Sequence, residues 1–337
     1  MPVPTPSLQQ RIKTRFLIIS DTHSAQLDLQ ENGPRVTTPF PFRKPLPRAD
    51  VLLHCGDLTK IGHLDEYRKT LDMLGECDAE LKLVIAGNHD ISLDEEYYRR
   101  EGMRMHRHAF DPKMPKQARD MWMGEEARRA GVTYLDEGSH AFALKSGAKL
   151  RIYVSPYQPE FCDWAFPYER GEDRFNPPDK VTPGATSIAK NPVPDFPQID
   201  VMMTHGPPLG RLDKTFRGEE VGCEHLLRAA RRCKPRLYCF GHIHEGWGAE
   251  RVLWDPSESL DQDWCKHIAQ AEPIAVDYGR IVQERAVHVD ISSFSAVQPL
   301  EFGRETLMVN ASIMNLMYQP QQSPWVIDVD LWPADNG

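Results

Sequence analysis

The chain has 337 residues, with 40 Lys+Arg against 49 Asp+Glu, a formal net charge of −9, and 40% hydrophobic and 26% charged residues. These proportions exclude a largely disordered chain, and the negative balance argues against a basic surface that grips duplex nucleic acid or an anionic membrane. No apolar run reaches the roughly 18 residues that a membrane-spanning helix needs, and the opening MPVPTPSLQQRIKTRF has no apolar signal-peptide core.

In chain order, the first strand-like run is Phe16–Ser20, which leads into Asp21-Thr22-His23. A Pro-rich stretch at 32–48 follows and reads as a long irregular loop, because proline removes a backbone donor. Val51–Cys55 is the next strand and ends in Gly56-Asp57; a helix is predicted over about Leu64–Leu74. Leu81–Ala86 runs into Gly87-Asn88-His89-Asp90, with helices predicted near Leu93–Glu101 and Ala118–Ala130. Leu150–Val154 reads as a strand before a second Pro-rich stretch at 156–197, again read as irregular. Ile199–Thr204 then leads into His205-Gly206-Pro207-Pro208. A helix near Gly222–Cys233 precedes Leu237–Phe240, which runs into Gly241-His242-Ile243-His244, and Thr306–Asn310 and Val326–Leu331 are the last strands. Alternating strands and helices indicate an α/β layered fold. About two domains fit the length, but no break in composition divides the chain. The expectation is therefore a tail at 1–14 and one domain over 15–337. Seven cysteines (Cys55, Cys77, Cys162, Cys223, Cys233, Cys239 and Cys265) are scattered without a CxxC pair, as in a cytoplasmic protein with reduced thiols.

Five of these strands deliver Asp, Asn or His at their C-terminal ends, the edge where α/β sheets bind ligands. The set holds hard oxygens (Asp21, Asp57, Asn88) and imidazoles (His23, His205, His242, His244). Seven mixed donors are too many for one tetrahedral zinc, yet suit two first-row cations sharing a carboxylate. Such a pair, about 3.5–4 Å apart, clamps the attacking and leaving oxygens of an in-line displacement at phosphorus. Glycines before Asp57, Asn88 and His242 permit sharp turns and close backbone approach. No block is specific alone; their joint occurrence, each after an apolar run, is.

In that order, DTH, GDLT, GNHD, THGPP and GHIH resemble the signature of the calcineurin-like metallophosphoesterases, from about Arg15 to at least Ser312. GDLTKIG, THGPPLG and GHIHEGWG look closer to the MPPED-type (metallophosphoesterase-domain) branch, whose members act as phosphodiesterases. Lys60-Ile61-Gly62 departs from the pattern of the Ser/Thr protein phosphatases. The resemblance implies a four-layer α/β/β/α sandwich of two mixed sheets flanked by helices. It implies two divalent metal ions (manganese, iron or zinc), one held by Asp21, His23 and His244, the other by Asn88, His205 and His242, with Asp57 bridging. A metal-bridging hydroxide would be the nucleophile, His89 the leaving-group acid, and Asp90 the carboxylate orienting His89. The implied function is hydrolysis of a small phosphodiester substrate, cyclic nucleotides foremost. The alternatives are a phosphomonoesterase, a single-strand nuclease, or a catalytically silent metal-binding scaffold.

Arg211, Lys214 and Arg217 follow the THGPPLG block and are candidate substrate contacts, with ordinary surface charge as the competing reading. His54 reads as a packed strand residue, and His106 and His108 as a solvated helix face or loop. Asn310-Ala311-Ser312 matches the glycosylation pattern, but its strand-like setting favours core packing. Trp164 and Phe166 read as anchors of the second Pro-rich stretch, with nucleobase stacking as the alternative. Duplex nucleic acid and membrane partners are not expected, and the sequence does not address oligomeric state.

Overall fold

The strand-forming runs are apolar at consecutive positions because both faces of each strand are buried. In the computed structural model, which describes residues 11–27, 40–256, 268–295 and 298–334, that burial sorts alternate side chains into separate cores. Cys265, His267 and residues 32–39 of the first Pro-rich stretch lie outside these residues. The first sheet is built from β1 (Ile12–Ile19), β2 (Ala49–His54), β3 (Ala79–Val84) and β4 (Val132–Tyr134), all parallel. β1 takes in the last three residues, Ile12, Lys13 and Thr14, of the segment expected to be a tail. The second sheet begins with β5 (Gly138–Ala143) and β6 (Ala148–Ser155), an antiparallel pair.

Between 156 and 197 the chain forms two short parallel ladders, β7 (Gln158–Pro159) with β8 (Pro167–Tyr168) and β9 (Glu172–Asp173) with β10 (Thr186–Ser187). This corrects the expectation of irregular structure. The segment is held by the buried Asp173 carboxylate, which accepts from the Phe175, Asn176 and Thr182 backbone amides at 2.8–3.0 Å. The second sheet continues with β11 (Val201–Thr204), β12 (Leu237–Phe240), β13 (Gly248–Trp254), β14 (Ile268–Pro273) and β16 (Glu305–Asn310). Its inner strands β6, β11, β12 and β16 run parallel, while β13 and β14 are antiparallel. β15 (Val287–Asp290) and β17 (Trp325–Pro333) complete the first sheet, and the end of β17 pairs with Lys149 and Ala148 of β6. The two sheets are thereby joined by hydrogen bonds into one 13-stranded array.

The side chains show the layers. Phe16, Ile18, Val51 and Leu53 of the first sheet pack with Ile152, Val201, Leu237 and Val309 of the second in a central core. On the other face of the first sheet, Leu17, Leu52 and Val84 meet Tyr67 and Leu74 of α1 (Leu64–Gly75) and Trp122 of α3 (Met114–Met123). On the outer face of the second sheet, Met202, Tyr238 and Met308 meet Leu226, Leu227 and Ala230 of α5 (Glu224–Cys233). The order is helix, sheet, sheet, helix, and both sheets are mixed: this is the four-layer α/β/β/α sandwich. Each fully buried large apolar side chain in these cores contributes about 1.5–3 kcal/mol.

Local differences from expectation have local causes. The helix predicted to Ala130 is broken at Gly124 into α3 and α4 (Glu125–Ala130). α2 (Glu95–His106) starts where the Asp94 carboxylate accepts from the Tyr97 amide at 3.0 Å. His106, read as solvated, is buried, its ring nitrogens 2.8 Å from the Tyr98 hydroxyl and 2.7 Å from the Ile61 carbonyl, and it stacks on His63. α6 (Tyr278–Glu284) lies just before β15.

Candidate metal centre

The C-terminal ends of β1, β2, β3, β11 and β12 meet at one edge, stitched by backbone bonds. The Asp21 amide donates to the Gly56 carbonyl at 2.9 Å, His23 to Asp57 at 3.0 Å, and Gly241 to His205 at 3.0 Å. Four residues here adopt left-handed backbone, Asp21 (φ 52°), His23 (45°), Asp57 (52°) and His242 (68°). Non-glycine residues rarely occupy that region, and such strain gathers at functional sites. Two glycines permit the crowding. A Cβ on Gly241 would lie 2.0 Å from an Asp21 carboxylate oxygen, and one on Gly87 would lie 2.4 Å from an Asp57 carboxylate oxygen.

Six predicted residues fall into two groups, Asp21, His23 and His244, and Asp57, His205 and His242, each with its ligand atoms within 4.8 Å of one another. Asp57 reaches toward both: one oxygen lies 3.7 Å from His23 Nε2 and the other 3.4 Å from His205 Nε2. Asn88 joins the second group through its side-chain oxygen, 2.8 Å from His205 Nε2. Carbonyls of Thr59, Cys55 and Asn315 face Nδ1 of His23, His205 and His244 at 2.8, 3.0 and 3.3 Å. A proton held at Nδ1 by a carbonyl leaves the Nε2 lone pair free toward the group, as in metal-binding histidines.

The donor set fits divalent cations. His23 Nε2 is buried without a hydrogen-bond partner, a condition that is costly unless something binds there. Burial, reinforced by the charges of Asp21 and Asp90, pushes the Asp57 carboxyl well above its usual range. Burial likewise pushes the His23 and His242 imidazoles well below theirs. Burial would also raise Asp21, but its hydrogen bond and charge interaction with His244 outweigh that and hold it well below the normal range. Buried carboxylates beside imidazoles whose burial disfavours the imidazolium, as at His23 and His242, are the arrangement that positive ions stabilise.

Sequence reasoning missed the support around these residues. The Ser312 hydroxyl donates to the Asp21 carboxylate at 2.9 Å, and the Asn310 amide donates to the Leu212 and Ile243 carbonyls. Asn310-Ala311-Ser312 is thus buried, as its strand setting suggested, yet polar in function. His54 is buried with Nε2 2.8 Å from the Thr22 hydroxyl, and burial pushes its pKa down to about 3. Asp90 does not meet the His89 ring. Its carboxylate accepts from the amides of Leu58, Thr59 and Gly87 and from the Thr59 hydroxyl, while His89 Nδ1 faces the Lys60 carbonyl at 2.7 Å. The turn at 87–90 aims Asp90 back at the preceding loop, so a backbone carbonyl takes the orienting position. Burial lowers the His89 pKa to about 4.

Above the two groups lies a cleft of about 600 Å³, floored by Asp57, Asn88, His89, His242 and His244. Arg217 lines it. Arg211 and Lys214 do not, and are instead paired with Glu250 at 3.3 Å and Glu220 at 3.5 Å. The sequence offered no sign of Arg170, which reaches the wall by donating to the Val221 and Gly222 carbonyls. Tyr318 was also missed; its ring centroid sits 4.8 Å from that of His23. Trp164 and Phe166 both pack on the core, as the sequence suggested, and Trp164 in addition stacks on His89. Among the described residues, no helix is long and apolar enough to cross a membrane.

Comparison with known proteins adds a family. The model of the calcineurin-like phosphoesterases matches residues 14–246. Metallophosphoesterase domain-containing protein 1 of Homo sapiens and of Mus musculus are each 32% identical over 249 residues, 73% of this chain and 65% of theirs. A UPF0046 protein of Caenorhabditis elegans is 28% identical over 239 residues, covering 69% of this chain and 52% of its own. The chain thus spans just under two thirds of the length of the mammalian relatives. Among solved structures, a purple acid phosphatase from yellow lupin aligns with TM-score 0.37 and 11% identity over 96% of this chain and 55% of that one, too slight a likeness to argue from.

Proposed function

The chain belongs to the calcineurin-like phosphoesterase family, and from that premise we propose that it is a dinuclear metal-dependent phosphodiesterase acting on a small phosphodiester. The observation that carries this reading is the placement of Asp57, whose two oxygens face His23 and His205 from between the two donor groups. Asp21, His23 and His244 would hold one divalent cation, Asn88, His205 and His242 the other, and Asp57 would be shared. Two such ions, of manganese, iron or zinc type, supply Lewis acidity at the phosphoryl oxygens and lower the pKa of a bound water.

The protein's own groups do the rest. Ser312 and the His242 amide hold the Asp21 carboxylate in place. The Lys60 carbonyl accepts the His89 Nδ1 proton, which leaves Nε2 to meet the leaving oxygen. At a pKa of about 4 this imidazole is neutral near pH 7; an anionic phosphodiester beside it favours the imidazolium and so loads the proton that the leaving oxygen takes. Asp90 acts on the backbone around Thr59 rather than on the ring.

The cleft wall supports a diester. Arg170 and Arg217 are offset by Glu219 and Glu245 among its lining residues, a balance better suited to a monoanion than to a dianionic monoester. Cyclic nucleotides are the favoured class by the resemblance of the five motifs. The six described cysteines are free thiols, in keeping with a cytoplasmic setting.

The test is hydrolysis of bis(p-nitrophenyl) phosphate beside p-nitrophenyl phosphate by metal-stripped protein, before and after adding Mn²⁺, Zn²⁺ or Mg²⁺. Metal-restored diester hydrolysis is the expected result. A monoester preference would make the protein a phosphomonoesterase, and cleavage confined to single-stranded oligonucleotides a nuclease. Bound cations without turnover would leave a metal-binding scaffold.

A further inference from the structure

The mouth of the cleft is apolar where a site for phosphate alone would be basic. Phe161, Phe216, Leu316 and Tyr318 line it while remaining 56%, 72%, 56% and 43% exposed. They come from three separate loops, each fixed by its own hydrogen bonds. Phe216 sits at a turn closed by the Gly218 amide on the Thr215 carbonyl at 2.8 Å and the Thr215 amide on the Glu219 carbonyl at 3.0 Å. Leu316 and Tyr318 sit in a turn closed by the Tyr318 amide on the Asn315 carbonyl at 2.9 Å. Phe161 precedes two left-handed residues, Cys162 (φ 51°) and Asp163 (φ 58°), with the Asp163 amide held by Glu160 at 2.9 Å. Exposed apolar side chains that converge on one opening mark a binding surface, whereas scattered ones do not.

These side chains also reach the chemistry. The Phe161 ring stands edge-on to His242 with centroids 6.0 Å apart, and Tyr318 edge-on to His23 at 4.8 Å. An apolar path therefore runs from each donor group to the rim. The cleft of about 600 Å³ leaves ample room beyond a phosphoryl group.

We propose that the substrate is a phosphodiester carrying a bulky apolar group, an alkyl chain or an aryl ring, on one ester oxygen, and that Phe161, Phe216, Leu316 and Tyr318 seat this group. This inference rests on the phosphodiesterase reading and names the kind of diester the site prefers. Shape and hydrophobicity at the rim select the substituent, and the floor acts on the phosphate.

The experiment compares p-nitrophenyl methyl, hexyl and phenyl phosphates with Mn²⁺-loaded protein, so that the leaving group stays constant and only the retained group changes. Partial cover of the added carbons should raise kcat/KM for the hexyl ester about 10- to 100-fold over the methyl ester. The phenyl ester distinguishes an aryl seat from an alkyl one. In Phe216→Ser/Leu316→Ser the hexyl-to-methyl ratio should fall toward one. In parallel, quenching of tryptophan fluorescence measures binding of methyl and hexyl methylphosphonate, which needs no turnover. If no ester is hydrolysed, the phosphodiesterase reading fails, and the phosphonates alone decide this inference: tighter hexyl binding upholds it. Equal hydrolysis of the methyl, hexyl and phenyl esters together with equal binding of the two phosphonates overturns it. So does wild-type self-association that the double substitution abolishes without any chain-length preference, since the rim would then be an interface between copies.

Discussion

The indole of Trp164 lies on the imidazole of His89, with ring centroids 4.0 Å apart and planes inclined by 27°. Neighbouring contacts fix the indole's position: the Tyr97 hydroxyl donates to the Asp163 carbonyl at 2.6 Å, and the Phe166 amide donates to the Asp94 carboxylate at 2.8 Å. Asp94 also caps α2, so the second Pro-rich stretch is tied through one carboxylate to the helix that follows the His89 loop. Stack and carbonyl together set the ring that would serve the leaving oxygen.

Trp164→Ala should lower kcat by about 3- to 10-fold, the worth of one aromatic stack beyond its buried area, and Trp164→Phe should recover most of the loss. In metal-free protein followed by NMR, the His89 pKa should rise from about 4 toward the ordinary histidine value when the indole is removed, because burial is its main depressing cause. An unchanged pKa together with unchanged kcat would show that the stack is incidental.

His89→Ala should discriminate between leaving groups. A p-nitrophenolate departs without a proton, so the loss there should stay below about 10-fold. A diester with an alkoxide leaving group should lose about 10²- to 10⁴-fold, the usual worth of general acid catalysis. Equal losses on the two substrates would remove His89 from the acid role.

Ser312→Ala removes the hydroxyl that donates to Asp21 at 2.9 Å. Groups that orient a ligand commonly contribute 10- to 100-fold to metal affinity, so Mn²⁺ affinity in metal-buffered titrations should fall by about that factor. Thermal melting of the metal-free protein should change little beyond the roughly 1 kcal/mol of one hydrogen bond. A large loss of stability with unaltered affinity would make Ser312 a packing residue only.

Away from the site, Arg15 forks onto Asp328 at 2.7 and 2.9 Å and joins β1 to β17. Burial alone would raise the Asp328 carboxyl, but Arg15 and Lys13 outweigh it and hold the pKa below its usual 3.8. A depressed carboxyl stabilises the fold above its unfolded pKa, and that stability is lost as pH falls through the lower, folded value. Asp328→Asn should therefore cost about 1 kcal/mol at pH 7 after solvent screening, or about 2 °C in Tm. The gap from wild type should narrow as the pH drops below about 4. A gap constant from pH 7 to 3 would contradict this.

Much of the architecture was legible because inner strands such as β11 and β12 are buried on both faces and stand out as apolar runs. Edge strands did not. β5 faces solvent on one side and β14 on both, and their mixed composition hides them. The donor residues were legible because each follows directly on an inner strand. Trp164 was not, because its contact with His89 depends on how a long insertion folds back. Asp90 misled for the opposite reason: adjacency in sequence suggested a partner, while the turn at 87–90 points its carboxylate at the Leu58 and Thr59 amides.

Mn²⁺ titration of metal-free protein, read by elemental analysis and electron paramagnetic resonance, tests most directly the sharing of Asp57 between two cation sites. That sharing predicts two ions per chain with the spectrum of a magnetically coupled pair, and loss of the coupling and of at least one ion in Asp57→Asn. A single isolated ion in the wild type, or a coupled pair that survives Asp57→Asn, would contradict it.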